Sequence, residues 1–136
     1  MLTDEVREGL IQAALDARRW AYAPYSGYRV GASVLTESGN TYDGANVENA
    51  AYPTSMCAER VAIFKAVSEG ERKFIAIAVA TTNGSTPCGA CRQVLAEFGL
   101  DTRVIVVDEH GTIIQEDDVA GFLPGAFTPE DLPPRP

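Results

Sequence analysis

The sequence holds one histidine, one tryptophan and three cysteines in 136 residues. An odd number of cysteines cannot all pair within one chain, and a reducing compartment discourages disulfides, so metal binding or catalysis is the better reading of these thiols. Long apolar runs are missing too. The longest, Phe74 to Ala80, falls well short of the roughly 20 residues a membrane-spanning helix requires, which removes a transmembrane role. Basic residues are few, 11 against 19 acidic ones, for a formal charge of -8 and a pI near 4.5. No cluster of Lys and Arg offers the basic stripe with which proteins track a phosphate backbone, so a small neutral substrate is expected and a nucleic-acid partner is not. The N-terminus carries Asp4, Glu5, Arg7 and Glu8 in place of a basic patch followed by an apolar stretch. It does not read as a secretory signal, and a cytoplasmic location is expected.

With 46% hydrophobic residues, the chain can bury one proper core and not two, so residues 1–136 are expected to form a single domain. Thr3 suits the N-cap of a first helix reaching about Trp20, with Val6, Leu10, Ala13, Ala14 and Ala17 on one face. Tyr22 to Tyr28, with Pro24, Ser26 and Gly27, reads as a loop. Arg29 to Thr36 and Thr41 to Asn46 predict a β-hairpin across Glu37-Ser38-Gly39-Asn40. A second helix is expected from about Ser55 to Glu69, stopped by Gly70. Phe74 to Thr81 reads as a buried strand, and a third helix runs from the region of Pro87 to Phe98. Arg103 to Val107 and Thr112 to Gln115 complete the strands, and the proline-rich remainder caps the domain or reaches a neighbour. Alternation of strands and helices after residue 40 predicts a three-layer α/β/α sandwich around a mixed five-stranded sheet, with the hairpin at one edge.

Chemistry concentrates at two helix starts. Cys57 opens one, Cys88-Gly89-Ala90-Cys91 the other. Helix N-termini favour the thiolate, and the two-residue gap lets one turn aim Cys88 and Cys91 at the same ion. Soft thiolates select zinc, and three protein ligands leave a position open to water, as a catalytic site requires. Glu59, two residues beyond Cys57, is the candidate proton shuttle. Arg60 is placed to hydrogen-bond a sulfur and drain charge from an electron-rich three-thiolate site. Taken alone, Cys-x-x-Cys also fits a redox dithiol. Adding Cys57 and Glu59 favours a metal. A structural zinc remains open, although the one histidine, His110, lies in the acidic turn Asp108-Glu109-His110-Gly111 and reads as solvated.

The pattern Cys57-Ala58-Glu59 with Pro87-Cys88-Gly89-Ala90-Cys91 resembles the zinc-deaminase signature in its three-cysteine form. Tyr22-Ala23-Pro24-Tyr25-Ser26, Asn46-Val47-Glu48-Asn49-Ala50-Ala51-Tyr52-Pro53 and Cys88 to Gln93 extend the likeness to the small homotetrameric cytidine deaminases over nearly the whole chain. The resemblance implies a cytidine deaminase-like fold and one zinc per chain on Cys57, Cys88 and Cys91. Glu59 would be the general acid/base that moves protons to N3 and to the amino group of cytidine or deoxycytidine, in pyrimidine salvage. It also implies that Asn46 and Glu48 hold the ribose 3'-hydroxyl and that backbone around Ala58 and Cys88 holds the base. Tyr28 stands where the family usually stacks a phenylalanine on the pyrimidine, so its hydroxyl needs a partner. Ala51, Tyr52 and Phe127 match residues that family members contribute to a neighbouring subunit's pocket, which implies a homotetramer.

Blander readings apply to other residues. Tyr22 and Tyr25 are expected to pack at the end of the first helix, and Trp20 and Phe64 to lie in the core. Arg92 and Gln93 fit either a helix surface or a support for the metal loop. Two rival functions remain at this level: a deaminase of a modified aminopyrimidine nucleoside of the blasticidin S type, and a zinc-stabilised binding module without catalysis.

Overall fold

A computed structural model describes residues 2–134. Helix α1 (Asp4–Ala17) starts where Thr3 accepts a 3.2 Å hydrogen bond from the Val6 N–H, with Asp4 and Glu5 at the positive end of the helix dipole. Its chain continues as a tighter turn, Arg18–Trp20. Strand β1 (Gly31–Thr36) follows, then β2 (Thr41–Ala45), α2 (Ala58–Ser68), β3 (Phe74–Ala80), α3 (Gly89–Phe98), β4 (Arg103–Val107), β5 (Ile113–Asp118) and the short α4 (Val119–Phe122). The sheet order is β2-β1-β3-β4-β5. Only β3 and β4 run parallel, with Ala76 opposite Arg103 and Ala80 opposite Val107, and α3 lies in the connection between them. The other neighbouring pairs are antiparallel.

Helices cover both faces, and the side chains of β3 alternate between them. Ile77 and Val79 point to the side of α2, α3 and α4, where they meet Ala62, Ile63, Leu95, Val104 and Phe122. Ala76, Ala78 and Ala80 point the other way, toward Leu10 and Ala14 of α1 together with Ile105 and Val107. Small residues there let α1 lie close to the sheet. A Cβ on Gly31 would fall 2.0 Å from the Ala14 carbonyl oxygen, so the contact between α1 and β1 admits glycine alone.

Several sequence expectations need correction. The buried face of α1 is Leu10, Ala14 and Ala17, whereas Val6 is exposed and Ala13 only half-buried. Trp20 and Phe64 are not core residues: they are 72% and 41% exposed. The turn at Arg18–Trp20 swings the indole off the sheet, and the Arg19 guanidinium covers its ring at 5.1 Å. Phe64 lies on the outer face of α2 because Ala62, Ile63 and Ala66 take the sheet side. Tyr22 and Tyr25 are likewise exposed, so neither plugs the end of α1. Strand β5 extends through Asp118, and α4 had no counterpart in the sequence reading, since a single turn of Val-Ala-Gly-Phe carries no periodic signal.

Candidate active site

Helices α2 and α3 both aim their N-termini at one cavity of about 460 Å³. Cys57 and Cys88 are the N-cap residues of these helices, so each opens its helix as the sequence suggests, and Cys91 lies in the first turn of α3. Their sulfurs converge. Cys57 and Cys88 are separated by 3.9 Å, Cys88 and Cys91 by 3.5 Å, and all three sulfurs lie within 4.8 Å of one another without a disulfide. Tetrahedral zinc with bonds near 2.3 Å spaces its sulfurs by about 3.8 Å, so the triangle has the dimensions and the soft donors that zinc requires. His110 is exposed in the turn after β4, as expected, and offers no ligand here.

Charge is already organised around the sulfurs. The Cys91 thiol hydrogen-bonds Cys57, and with help from Arg60 this draws Cys57 down to about 5. Cys91, hydrogen-bonded to Cys57 and buried, keeps its proton far more firmly. Arg60 donates to the Cys57 sulfur at 3.3 Å, and that hydrogen bond pushes the guanidinium further toward its charged form. Its Nε is buried without a partner. Glu59, in the cavity wall and 5% exposed, is pushed up to about 7 by burial, with the Cys57 charge adding to the rise. A carboxyl that exchanges its proton near neutrality is the type a proton-transfer site needs.

Asn46, Glu48, Tyr28 and Ala58 all line the same cavity. They arrive there through main-chain bridges: Tyr22 pairs with Val47, and Val47 with Met56, which brings the loop after β2 between the 22–28 loop and the start of α2. Asn46 donates to the Tyr28 carbonyl at 2.8 Å and accepts from the Val30 N–H at 2.9 Å, leaving one amide hydrogen and one lone pair for a ligand. Glu48 accepts from the Tyr25 and Ser26 N–H groups at 3.0 and 3.1 Å and from the Ser26 hydroxyl. The Ser26 bonds hold its carboxylate below the ordinary range. The Tyr28 hydroxyl finds its partner in Asn83 Oδ1, at 2.7 Å.

Arg92, whose role the sequence left open, supports the metal loop. Its guanidinium donates to the Pro87 carbonyl at 2.7 Å, the Phe122 carbonyl at 2.6 Å and the Thr86 hydroxyl at 2.8 Å. Gln93 donates to the Phe127 carbonyl at 2.8 Å. Within one chain, Ala51, Tyr52 and Phe127 do not line the cavity. Tyr52 and Phe127 are 70% and 55% exposed, and Tyr52 meets Tyr25 edge to face at 5.9 Å on the rim beside Glu48. Sequence reasoning gave no site role to Ser26, although it lies in a quoted motif, and missed Thr81 and Ser85 of the cavity wall, which are small polar residues with no motif of their own.

Residues 4–108 match the family model described as the cytidine and deoxycytidylate deaminase zinc-binding region. A cytidine deaminase of Halalkalibacterium halodurans is 51% identical over 129 residues, covering 93% of this chain and 97% of the relative. One from Sporosarcina psychrophila is 51% identical over 127 residues, with 92% and 93% covered. The crystal structure of cytidine deaminase from Burkholderia pseudomallei superimposes with a TM-score of 0.85 at 42% identity, over 93% of this chain and 100% of the other.

Proposed function

This chain belongs to the zinc-binding cytidine and deoxycytidylate deaminase family, and from that premise we propose that it hydrolyses cytidine and 2'-deoxycytidine to uridine and 2'-deoxyuridine with release of ammonia. The observation that carries this reading is a buried carboxyl, Glu59, beside a triangle of three thiols at a cavity of about 460 Å³. The family's description spans nucleosides and nucleotides, and the charge of the cavity favours the former. Among the described residues Arg60 is the one cationic side chain lining it, and Arg60 is engaged by Cys57. The Glu48 carboxylate, held anionic by Ser26, opposes a 5'-phosphate.

Cys57, Cys88 and Cys91 hold the zinc. When bound, the ion supplies the Lewis acidity that makes water a nucleophile at neutral pH. Glu59 takes a proton from the attacking water and delivers it to ring N3, which leaves C4 open to attack. The water oxygen bonds to C4, and Glu59 then carries the second proton from that oxygen to the amino group, so that the C4–N bond breaks, ammonia departs and the C4 carbonyl forms. Arg60 withdraws charge from the Cys57 sulfur to which it donates. The free hydrogen and lone pair of Asn46, with Glu48, receive the 3'-hydroxyl, Tyr28 forms the aromatic wall against the base, and the backbone at Ala58 meets its polar edge. The described chain acts as one catalytic unit within a homotetramer in the cytoplasm, for pyrimidine salvage, with Ala51, Tyr52 and Phe127 presented to a neighbour's pocket. The exposure of Tyr52 and Phe127 supports that last point.

The test follows the ultraviolet absorbance of cytidine, deoxycytidine and deoxycytidylate with the zinc-loaded protein, using Glu59→Gln as the matched control. Turnover of both nucleosides, little turnover of the nucleotide, and a loss of at least about 100-fold in kcat for the variant are expected. A folded, zinc-loaded protein inert toward both nucleosides refutes the substrate assignment, and modified aminopyrimidine nucleosides become the next candidates. Full activity in Glu59→Gln refutes the assignment of the proton shuttle.

A further inference from the structure

Two loops face each other across the cavity and come from distant parts of the chain: residues 22–30 and residues 81–87, the second leading directly into Cys88. Each is fixed from behind. The 22–30 loop is held by Glu48 at Tyr25 and Ser26 and by Asn46 at Tyr28 and Val30. In the other loop, the buried Thr81 hydroxyl accepts from the Gly84 and Ser85 N–H groups at 2.7 and 3.0 Å. Gly84, at φ +75°, packs so closely on Ile114 that a Cβ would lie 2.3 Å from that side chain. Arg92 anchors the Thr86–Pro87 end.

Two side-chain links then join these loops. Tyr28 donates its hydroxyl to Asn83 Oδ1 at 2.7 Å, and the same oxygen accepts from the Ser85 hydroxyl at 3.0 Å. Arg18 donates to the Arg29 carbonyl at 3.1 Å and to the Thr82 hydroxyl at 3.0 Å, so one guanidinium spans from the residue after Tyr28 to the residue before Asn83. Resting on the reading of this cavity as a nucleoside pocket, we propose that Asn83 is a positioning residue for substrate. It tethers the outer end of Tyr28, forming with Arg18 a clasp that closes the aromatic wall onto the loop carrying Cys88. Without the tether, Tyr28 is held only at its backbone, where Asn46 grips the carbonyl, and its ring is free to change rotamer. With it, both ends of the side chain are pinned before substrate arrives. Ordering a free side chain on binding weakens affinity by about three- to tenfold, and this ring has been ordered in advance. A phenylalanine at position 28 has no hydroxyl to tether, so the device exists only because tyrosine stands there.

Asn83 is exposed and outside the cavity wall, so its variants are expected to fold. Steady-state kinetics on cytidine would compare Asn83→Ala, Asn83→Asp, Tyr28→Phe and the double variant Asn83→Ala/Tyr28→Phe, each at full zinc content. Asn83→Ala should raise KM about fivefold, the worth of one hydrogen bond, with kcat moving less than twofold. Asn83→Asp keeps an acceptor oxygen and should restore KM. Adding Asn83→Ala to Tyr28→Phe should change nothing further, because the tether is already gone. An unchanged KM in Asn83→Ala, or effects that multiply in the double variant, overturns the proposal. A wild-type protein that holds zinc yet leaves cytidine untouched refutes the nucleoside reading instead. The clasp is then judged by amide hydrogen exchange over residues 22–30, where faster exchange in Asn83→Ala and not in Asn83→Asp upholds it and unaltered exchange refutes it.

Discussion

Arg92 carries more of the site than its position in the chain suggests. Its three guanidinium nitrogens hold the segment just before Cys88, through the Pro87 carbonyl and the Thr86 hydroxyl, and reach the carbonyl of the distant Phe122. The guanidinium also covers the Phe122 ring at 5.4 Å, which ties α4 to the same loop. A planar fork satisfied at three acceptors cannot be replaced by an ammonium. Arg92→Ala is therefore expected to weaken zinc affinity about 10- to 100-fold, the range for lost supporting contacts, as read by competition with a chromogenic chelator. Arg92→Lys should recover little of it. Retention of wild-type affinity in Arg92→Ala would show that the Cys88 loop holds its shape unaided. The adjacent cysteine motif made this arginine visible in the sequence, but its partners were not, because Phe122 belongs to an element without a periodic signature.

Among the elements, the edge formed by β4 and β5 is joined to α1 by charge. Glu116 of β5 accepts from Arg7 of α1 and from Arg103 of β4, the latter at 2.8 Å, and Arg103 also reaches Asp118 at 3.2 Å. Burial by itself would raise the Glu116 carboxyl, but the two guanidiniums outweigh it and hold the group below its ordinary value of 4.5. A depressed carboxyl stabilises the fold above its unfolded value and loses that contribution as pH falls through the folded one. Glu116→Gln should accordingly cost about 1 kcal/mol at pH 7, a Tm lower by several degrees. The gap to wild type should begin to close as pH falls below about 4.5 and vanish once pH has passed the lower value of the folded state, where the wild-type carboxyl is neutral too. A Tm difference independent of pH would mean that the network acts by packing and not by charge. The strands themselves were readable, and the length of β5 was not: its last three residues, Glu116 to Asp118, are all acidic and carry no strand signal, and only the fold sets Arg7 and Arg103 against them.

For the whole molecule, the large exposed side chains raise the question of assembly. Trp20, Tyr22, Tyr25, Tyr52, Phe64 and Phe127 all lie open on one chain, and exposed aromatic side chains that gather into a patch mark a site of association. Sedimentation equilibrium at micromolar concentration is expected to return four times the chain mass of 14.5 kDa. Replacing Phe127 with Ser should raise KM without loss of zinc if that residue completes a neighbour's pocket. A fully active monomer would remove both the assembly and the shared pocket.

The sequence by itself determined the order of the five strands and the three long helices, and it singled out Cys57, Cys88, Cys91 and Glu59, which the fold brings together, because those properties are local. A thiol two residues before a carboxyl at a helix start, or a Cys-x-x-Cys spanning one turn, keeps its meaning wherever the chain goes. Tertiary structure alone decided which aromatic residues are buried, since Trp20 and Phe64 have core chemistry but lie on the wrong side of a turn and of a helix. It also decided that Asn46 and Glu48 hold the 22–30 loop as well as facing the cavity, and that Tyr28 is tied to Asn83. Such pairings depend on where two distant loops meet in space, and the sheet's connections set that meeting, leaving no trace in the spacing of the residues concerned.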